Sequence, residues 1–285
     1  MKLAIDSYCY HRFFGEVYEG VQKEPQRKMS LEDFLKRAKE LGANGVSLET
    51  CFIKSFEKDY LKKIRELLDK YNLEVVVAWG HPKGLEGGKN KEAVKEIIKN
   101  FETCKILGAN VMRVVGSCLD FRNDPHLPQI RGIINLLREP VKIAENLGIK
   151  LAIENHFDFT TEEMLLIIES INSNYFGITF DTGNCLRIGD EPVKSAKLLI
   201  DYIFATHLKD VAPIYGGDPK EWYYYACTPI GKGVIDIPSI IKILADKNYD
   251  GLLTIEIDFL DPEYGDEDTA LVSSMNFLKE ILKNI

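Results

Sequence analysis

The chain has 285 residues, 45% hydrophobic and 28% charged, enough material for a sizeable core and close to the roughly 250 residues typical of a single (β/α)₈ barrel. Its formal net charge of −8 argues against a nucleic-acid partner, which normally calls for a basic face. No apolar run approaches the roughly 18 residues of a membrane span, the charged start lacks the apolar stretch of a secretory signal, and the 6 cysteines form no Cys-x-x-Cys pair, so a reducing cytoplasm is the expected location.

Apolar, β-branched runs predict strands at 3–7, 45–49, 73–78, 111–115, 150–154, 176–181, 202–207 and 252–256. Helices are predicted between and after them, at about 30–41, 58–71, 90–107, 128–147, 161–171, 191–200, 238–247 and 268–283. Ser30 with Asp33 gives the first of these an N-cap and an acid in its first turn. Leu41-Gly42, Leu107-Gly108 and Leu147-Gly148 end helices with a residue that can take the left-handed cap conformation. Strict alternation implies a parallel sheet, and eight units in this length favour a closed TIM barrel spanning 1–285 as one domain. No Gly-x-Gly-x-x-Gly follows the first strand, as an open dinucleotide-binding sheet would require. Helix-to-strand links are short, whereas the strand-to-helix links 8–29, 79–89, 116–127 and 208–237 are long enough for lids or binding loops.

Four of the apolar runs close on a carboxylate or imidazole: LAIE on Glu154, FGITFD on Asp181, YIFATH on His207 and LLTIE on Glu256. Parallel barrel strands are buried on both faces, so each such group needs a partner. One alone is adequately explained as a helix cap or a paired surface charge. On four consecutive strands of a barrel they meet at the C-terminal mouth, where three crowded carboxylates and an imidazole suit one divalent cation.

The segments Ile153-Glu154-Asn155-His156, Phe180-Asp181-Thr182-Gly183-Asn184, His207-Leu208-Lys209-Asp210 and Ile255-Glu256 resemble signature segments of the sugar isomerase/epimerase superfamily. These are xylose isomerase-like TIM barrels, a group that also includes endonuclease IV. The resemblance implies that Glu154, Asp181, His207 and Glu256 hold one Mn²⁺, Co²⁺, Mg²⁺ or Zn²⁺ ion. It further implies that Glu154 and Glu256 are catalytic, exchanging protons on opposite faces of a sugar through a metal-stabilised enediolate. The leading expectation is therefore a metal-dependent sugar, or sugar-derivative, isomerase or epimerase. An inosose-type dehydratase, which uses the same enediolate, is the first alternative; an endonuclease IV-like nuclease and a non-catalytic sugar-binding barrel follow.

Seven residues are candidate substrate contacts: Glu49, His81, Arg113, His156, Asn184, Lys209 and Trp222. His156 lies two residues past Glu154 and shares its side of an extended chain. Arg113, inside a strand, must be paired; Glu154 or Glu49 is the expected partner, which would orient a carboxylate. Trp222 heads a Trp-Tyr-Tyr-Tyr run that, with Tyr8, Phe14 and Trp79, could wall a sugar pocket or contact a second copy in a homo-oligomer. Asn184 stands where several ketose epimerases of the family carry histidine, and no arginine follows Arg187, so the standard epimerase contacts are incomplete. Gly231-Lys232-Gly233 is the one glycine-rich segment that hints at a phosphate cradle.

Overall fold

A computed structural model describes residues 1–285. The apolar runs pair as parallel strands: β1 (Lys2–Asp6), β2 (Gly45–Glu49), β3 (Glu74–Ala78), β4 (Val111–Val115), β5 (Lys150–Glu154), β6 (Phe176–Asp181) and β7 (Ile203–Leu208). Two short strands, β8 (Asp210–Pro213) and β9 (Tyr225–Thr228), precede β10 (Leu252–Ile255). Strand β10 closes the ring, whose order is β1-β10-β7-β6-β5-β4-β3-β2. Thus the expected TIM barrel is the fold.

Around it lie α2 (Leu31–Glu40), α3 (Lys58–Tyr71), α4 (Lys91–Leu107), α5 (His126–Leu147), α6 (Thr161–Ile171), α8 (Pro192–Leu199), α9 (Ile237–Asp246) and α10 (Glu267–Leu282), with one-turn α1 (His11–Phe14) and short α7 (Thr182–Arg187) at the mouth. Ser30 caps α2 as expected, with Asp33 bonding back to complete a reciprocal cap, and Gly108 and Gly148 take the left-handed conformation after α4 and α5. No helix is long and apolar enough to cross a membrane. All 6 cysteines are free thiols.

The strand pleat explains why chemistry gathers at one end. A separate interior cluster contains Ala4, Val76, Val111, Ala152, Ala205 and Leu252, which fill the lower barrel, while the larger core lies between strands and helices. Side chains two positions apart share a face. Two residues up from Ala4, Val111, Ala152 and Ala205 come Asp6, Arg113, Glu154 and His207. Glu256 follows Leu252 by four on the same face, just past the end of β10. Small and apolar residues therefore seal the bottom of the barrel, and charged ones line its top.

Two features depart from the sequence expectation. The long 208–237 link contains an antiparallel ribbon, β8 on β9, with Asp210 opposite Thr228 and Pro213 opposite Tyr225. In addition, α7 starts directly after Asp181, so a helix intervenes before the expected helix at α8. Asp181 is itself its N-cap, accepting from the Asn184 N–H at 2.9 Å.

Candidate metal centre and cavity

Glu154, Asp181, His207 and Glu256 are at most 4% exposed. One ligand atom from each lies within 4.8 Å of all the others. His207 Nδ1 is 3.1 Å from Glu154 Oε1, 2.5 Å from Glu256 Oε2 and 4.0 Å from Asp181 Oδ2. The four residues singled out by their strand-end positions are thus brought to one point.

The surroundings fit a cation. Asp6, Glu49, Glu154, Asp181, Glu256 and Asp258 are buried carboxylates around three permanent cations, Arg113, Arg187 and Lys209. Glu154 Oε2, Asp181 Oδ2 and Glu256 Oε2 lack well-formed hydrogen bonds although charged groups stand nearby. Oxygen and imidazole donors with this surplus of negative charge suit Mn²⁺, Co²⁺, Mg²⁺ or Zn²⁺ better than a soft ion. Burial drives the Asp181 carboxyl up to about 7 against the pull of Lys209. Glu154 is also penalised by burial, but the charges of Arg113 and His207 outweigh it and hold the carboxyl well below its usual range.

Arg113 has both expected partners: its Nε is 2.7 Å from Glu154 Oε2 and its Nη2 is 3.1 Å from Glu49 Oε1. Burial raises the Glu49 carboxyl well above its usual range even so. A Cβ at Gly80 would come within 2.7 Å of Glu49 Oε2 and 2.9 Å of Cys51 Sγ, so a larger residue there would displace those side chains. Lys209 is no surface pair. At 2% exposure it places Nζ 2.8 Å from Asp181, 3.2 Å from Asp258 and 3.3 Å from Glu256.

A cavity of about 590 Å³ meets the cluster at Glu256, the one member of the four in its wall, which also holds Lys209, Arg113, Glu49, His81, His156 and Trp222. Its size is that of a small-molecule site. His156 has an unpartnered Nδ1, and burial depresses its imidazole to about 4, so it is neutral at pH 7. His81 stacks on Trp79 at 5.2 Å between centroids. Trp222 packs edge-on against Tyr18 at 4.8 Å, and Tyr8 joins the wall.

Other sequence candidates sit elsewhere. Asn184 does not line the cavity: it is fully buried in α7, where its amide donates to the Asn155 carbonyl at 3.2 Å. That correction follows from the helix that the sequence reading lacked, because the first turn of α7 points the side chain back against β5. Trp79 and Phe14 also lie outside the wall. The Gly231-Lys232-Gly233 segment is no phosphate cradle either. Its N–H groups at Gly231 and Gly233, with that of Ile235, donate to the Asp210 carboxylate at 2.8, 2.9 and 3.1 Å.

Three residues of the centre escaped the sequence reading. Asp258 pairs with Arg187 as well as Lys209, and Asp6 stands behind His207. Asp6 carries the same signal as the others, since it continues the inward-facing alternation of β1, whereas Asp258 lies three residues past the end of β10. Arg187 had no such signal, lying at the far end of α7.

The sequence profile of the xylose isomerase-like TIM barrel family matches residues 35–281. The chain belongs to this family. It is 27% identical over 247 residues to an inosose dehydratase of Clostridium botulinum (strain Alaska E43 / Type E3), covering 79% of this chain and 82% of the relative. Solved structures of the same fold include the IOLI protein with a bound zinc atom, at TM-score 0.77 and 19% identity, covering 100% of this chain and 99% of that one. A D-tagatose 3-epimerase-like protein superimposes with TM-score 0.75 at 22% identity, covering 100% and 98% of the two chains.

Proposed function

We propose that this barrel is a divalent-metal-dependent enzyme that moves a proton on the carbon beside a carbonyl of a sugar or cyclitol. The observation that carries the proposal is the approach of Glu154 and Glu256 to one nitrogen of His207, with Asp181 alongside, under a cavity of small-molecule size. When bound, the ion supplies Lewis acidity toward a carbonyl and its neighbouring hydroxyl. The two glutamates reach the site from β5 and from the end of β10, with β6 and β7 between them in the ring. One removes the proton from the substrate carbon and the other returns a proton from its own side. Arg113 aims Glu154 and Lys209 aims Glu256; the glutamate that accepts is ionised, and the one that donates has first taken up a proton from solvent. Neutral His156 offers hydrogen bonds to hydroxyl groups, and Trp222 offers an apolar face to ring C–H groups.

The cavity favours an uncharged substrate. Its cationic wall residues are already matched: Arg113 by two glutamates, Lys209 by three carboxylates, and Lys83 by Asp120 at 2.9 Å. The glycine-rich segment that could hold a phosphate is committed to Asp210. An unphosphorylated polyol carrying a ketone or aldehyde fits these groups better than a phosphate ester or a carboxylate.

Return of the proton gives an isomer or epimer. A second reading, loss of a neighbouring hydroxyl as water, is supported by the similarity to inosose dehydratase and by the incomplete epimerase contacts at Asn184 and after His207. Solvent-deuterium incorporation into a panel of ketoses, aldoses and inososes with added Mn²⁺ tests the shared step. Label retained in an isomer supports the first outcome, and a growing enone absorbance supports the second. No exchange into any member, with metal bound, rejects both.

A further inference from the structure

Asp6 ends β1 and is wholly buried. Its Oδ1 accepts the Tyr8 N–H at 2.6 Å, capping the turn that follows the strand. Its Oδ2 has no hydrogen bond of good geometry and lies 3.4 Å from His207 Nε2. The opposite edge of the same ring, Nδ1, faces Glu154, Glu256 and Asp181. His207 is therefore flanked by carboxylates through both nitrogens, but only one side is the four-residue cluster.

A neutral imidazole carries one proton, and the nitrogen that ligates a metal must be bare. If Nδ1 is that nitrogen, the proton must reside on Nε2. A carboxylate is a pure acceptor and rewards that arrangement alone. Asp6 can do this without giving up its cap, because the two roles use different oxygens.

We propose that Asp6 is a positioning residue that fixes the Nε2–H form of His207 and turns Nδ1 toward the metal-binding carboxylates. The inference rests on the metal reading above, but it concerns a residue outside the ligand set. Partners of this kind typically change metal affinity by about 10- to 100-fold.

Asp6→Asn is the informative change. Asparagine keeps an oxygen for the Tyr8 N–H, yet presents an N–H group to Nε2, where donor would meet donor. The ring then favours placing its proton on Nδ1, the ligand atom. Calorimetric titration of the demetallised wild type and Asp6→Asn with Zn²⁺ should show a 10- to 100-fold weaker affinity for the variant at unchanged circular dichroism. The ¹⁵N spectrum of the zinc-loaded wild type should show zinc on Nδ1 and a proton on Nε2 of His207. Equal affinity within twofold, or zinc on Nε2, would overturn the inference while leaving the metal centre intact. A wild type that takes up no zinc overturns both. Should Asp6→Asn fail to fold, the wild-type spectrum decides alone.

Discussion

Arg113 lies opposite Ala152 in the β4–β5 ladder, and its Nε reaches Glu154 Oε2, two residues further up, at 2.7 Å. One strand thereby sets the direction of a carboxylate on the next. Oε1 of Glu154 is left to face His207.

Arg113→Lys should show how much of the site depends on that fork. Lysine keeps the charge but cannot bind Glu154 and Glu49 through separate, rigidly related N–H groups. Turnover and metal affinity should each fall by about 10- to 100-fold, while the melting temperature changes much less than in Arg113→Met. The methionine variant strips Glu49 of its cation and leaves Glu154 with His207 alone, and should lose about 3–5 kcal/mol. Equal activity of Arg113→Lys and wild type would show that the fork orients nothing of consequence.

Lys209→Met removes the cation shared by Asp181, Glu256 and Asp258. In metal-free protein the variant should be destabilised by about 3–5 kcal/mol. Excess Mn²⁺ should restore a larger part of its melting temperature than it adds to the wild type, because the ion neutralises some of the same carboxylates. A thermal shift that is the same size in both chains would contradict this coupling.

Glu256→Gln preserves the shape of the group that ends the β10 run. At metal concentrations that saturate the weakened site, the fold and much of the substrate affinity should remain, with kcat reduced by about 10²- to 10⁴-fold, the usual range for losing a general acid–base. Undiminished turnover would exclude the two-carboxylate mechanism.

Away from the centre, His126 ties the start of α5 to the cap of α6. Its Nε2 is 2.9 Å from the Arg122 carbonyl and its Nδ1 2.8 Å from Glu163. The Arg122 carbonyl, and then Glu163, raise its pKa in the folded chain, against partial burial. The stabilisation is therefore fully present below the unfolded value of about 6.5 and is lost as pH rises through the higher folded value. Urea unfolding should show a larger deficit for His126→Gln at about pH 5.5 than at about pH 8.5. A deficit independent of pH would mean that the ring acts only by packing.

The barrel was legible because its strands are buried on both faces and read as apolar runs punctuated by short helix-to-strand links. The same property exposed Glu154, Asp181, His207 and Glu256, since a charge closing such a run stands out. Asp6 obeys the same rule, but the first run reads on to Ser7, and within it Asp6 looks internal. Asp258 lies beyond the last strand residue, where alternation is no longer a reliable guide. The β8–β9 ribbon and the pairing of Arg187 with Asp258 depend on contacts between distant segments, and local patterns carry no record of those. Asn184 illustrates the converse: correspondence by motif position put it in the pocket, whereas the short helix α7 turns it into the protein.

Metal titration of the demetallised chain, followed by calorimetry and elemental analysis and repeated with Asp181→Asn and His207→Gln, tests the central claim most directly. One divalent ion per chain should bind to the wild type, and each substitution should abolish that uptake or weaken it by orders of magnitude. A wild type that captures no ion, or variants that capture it as tightly, would contradict the account.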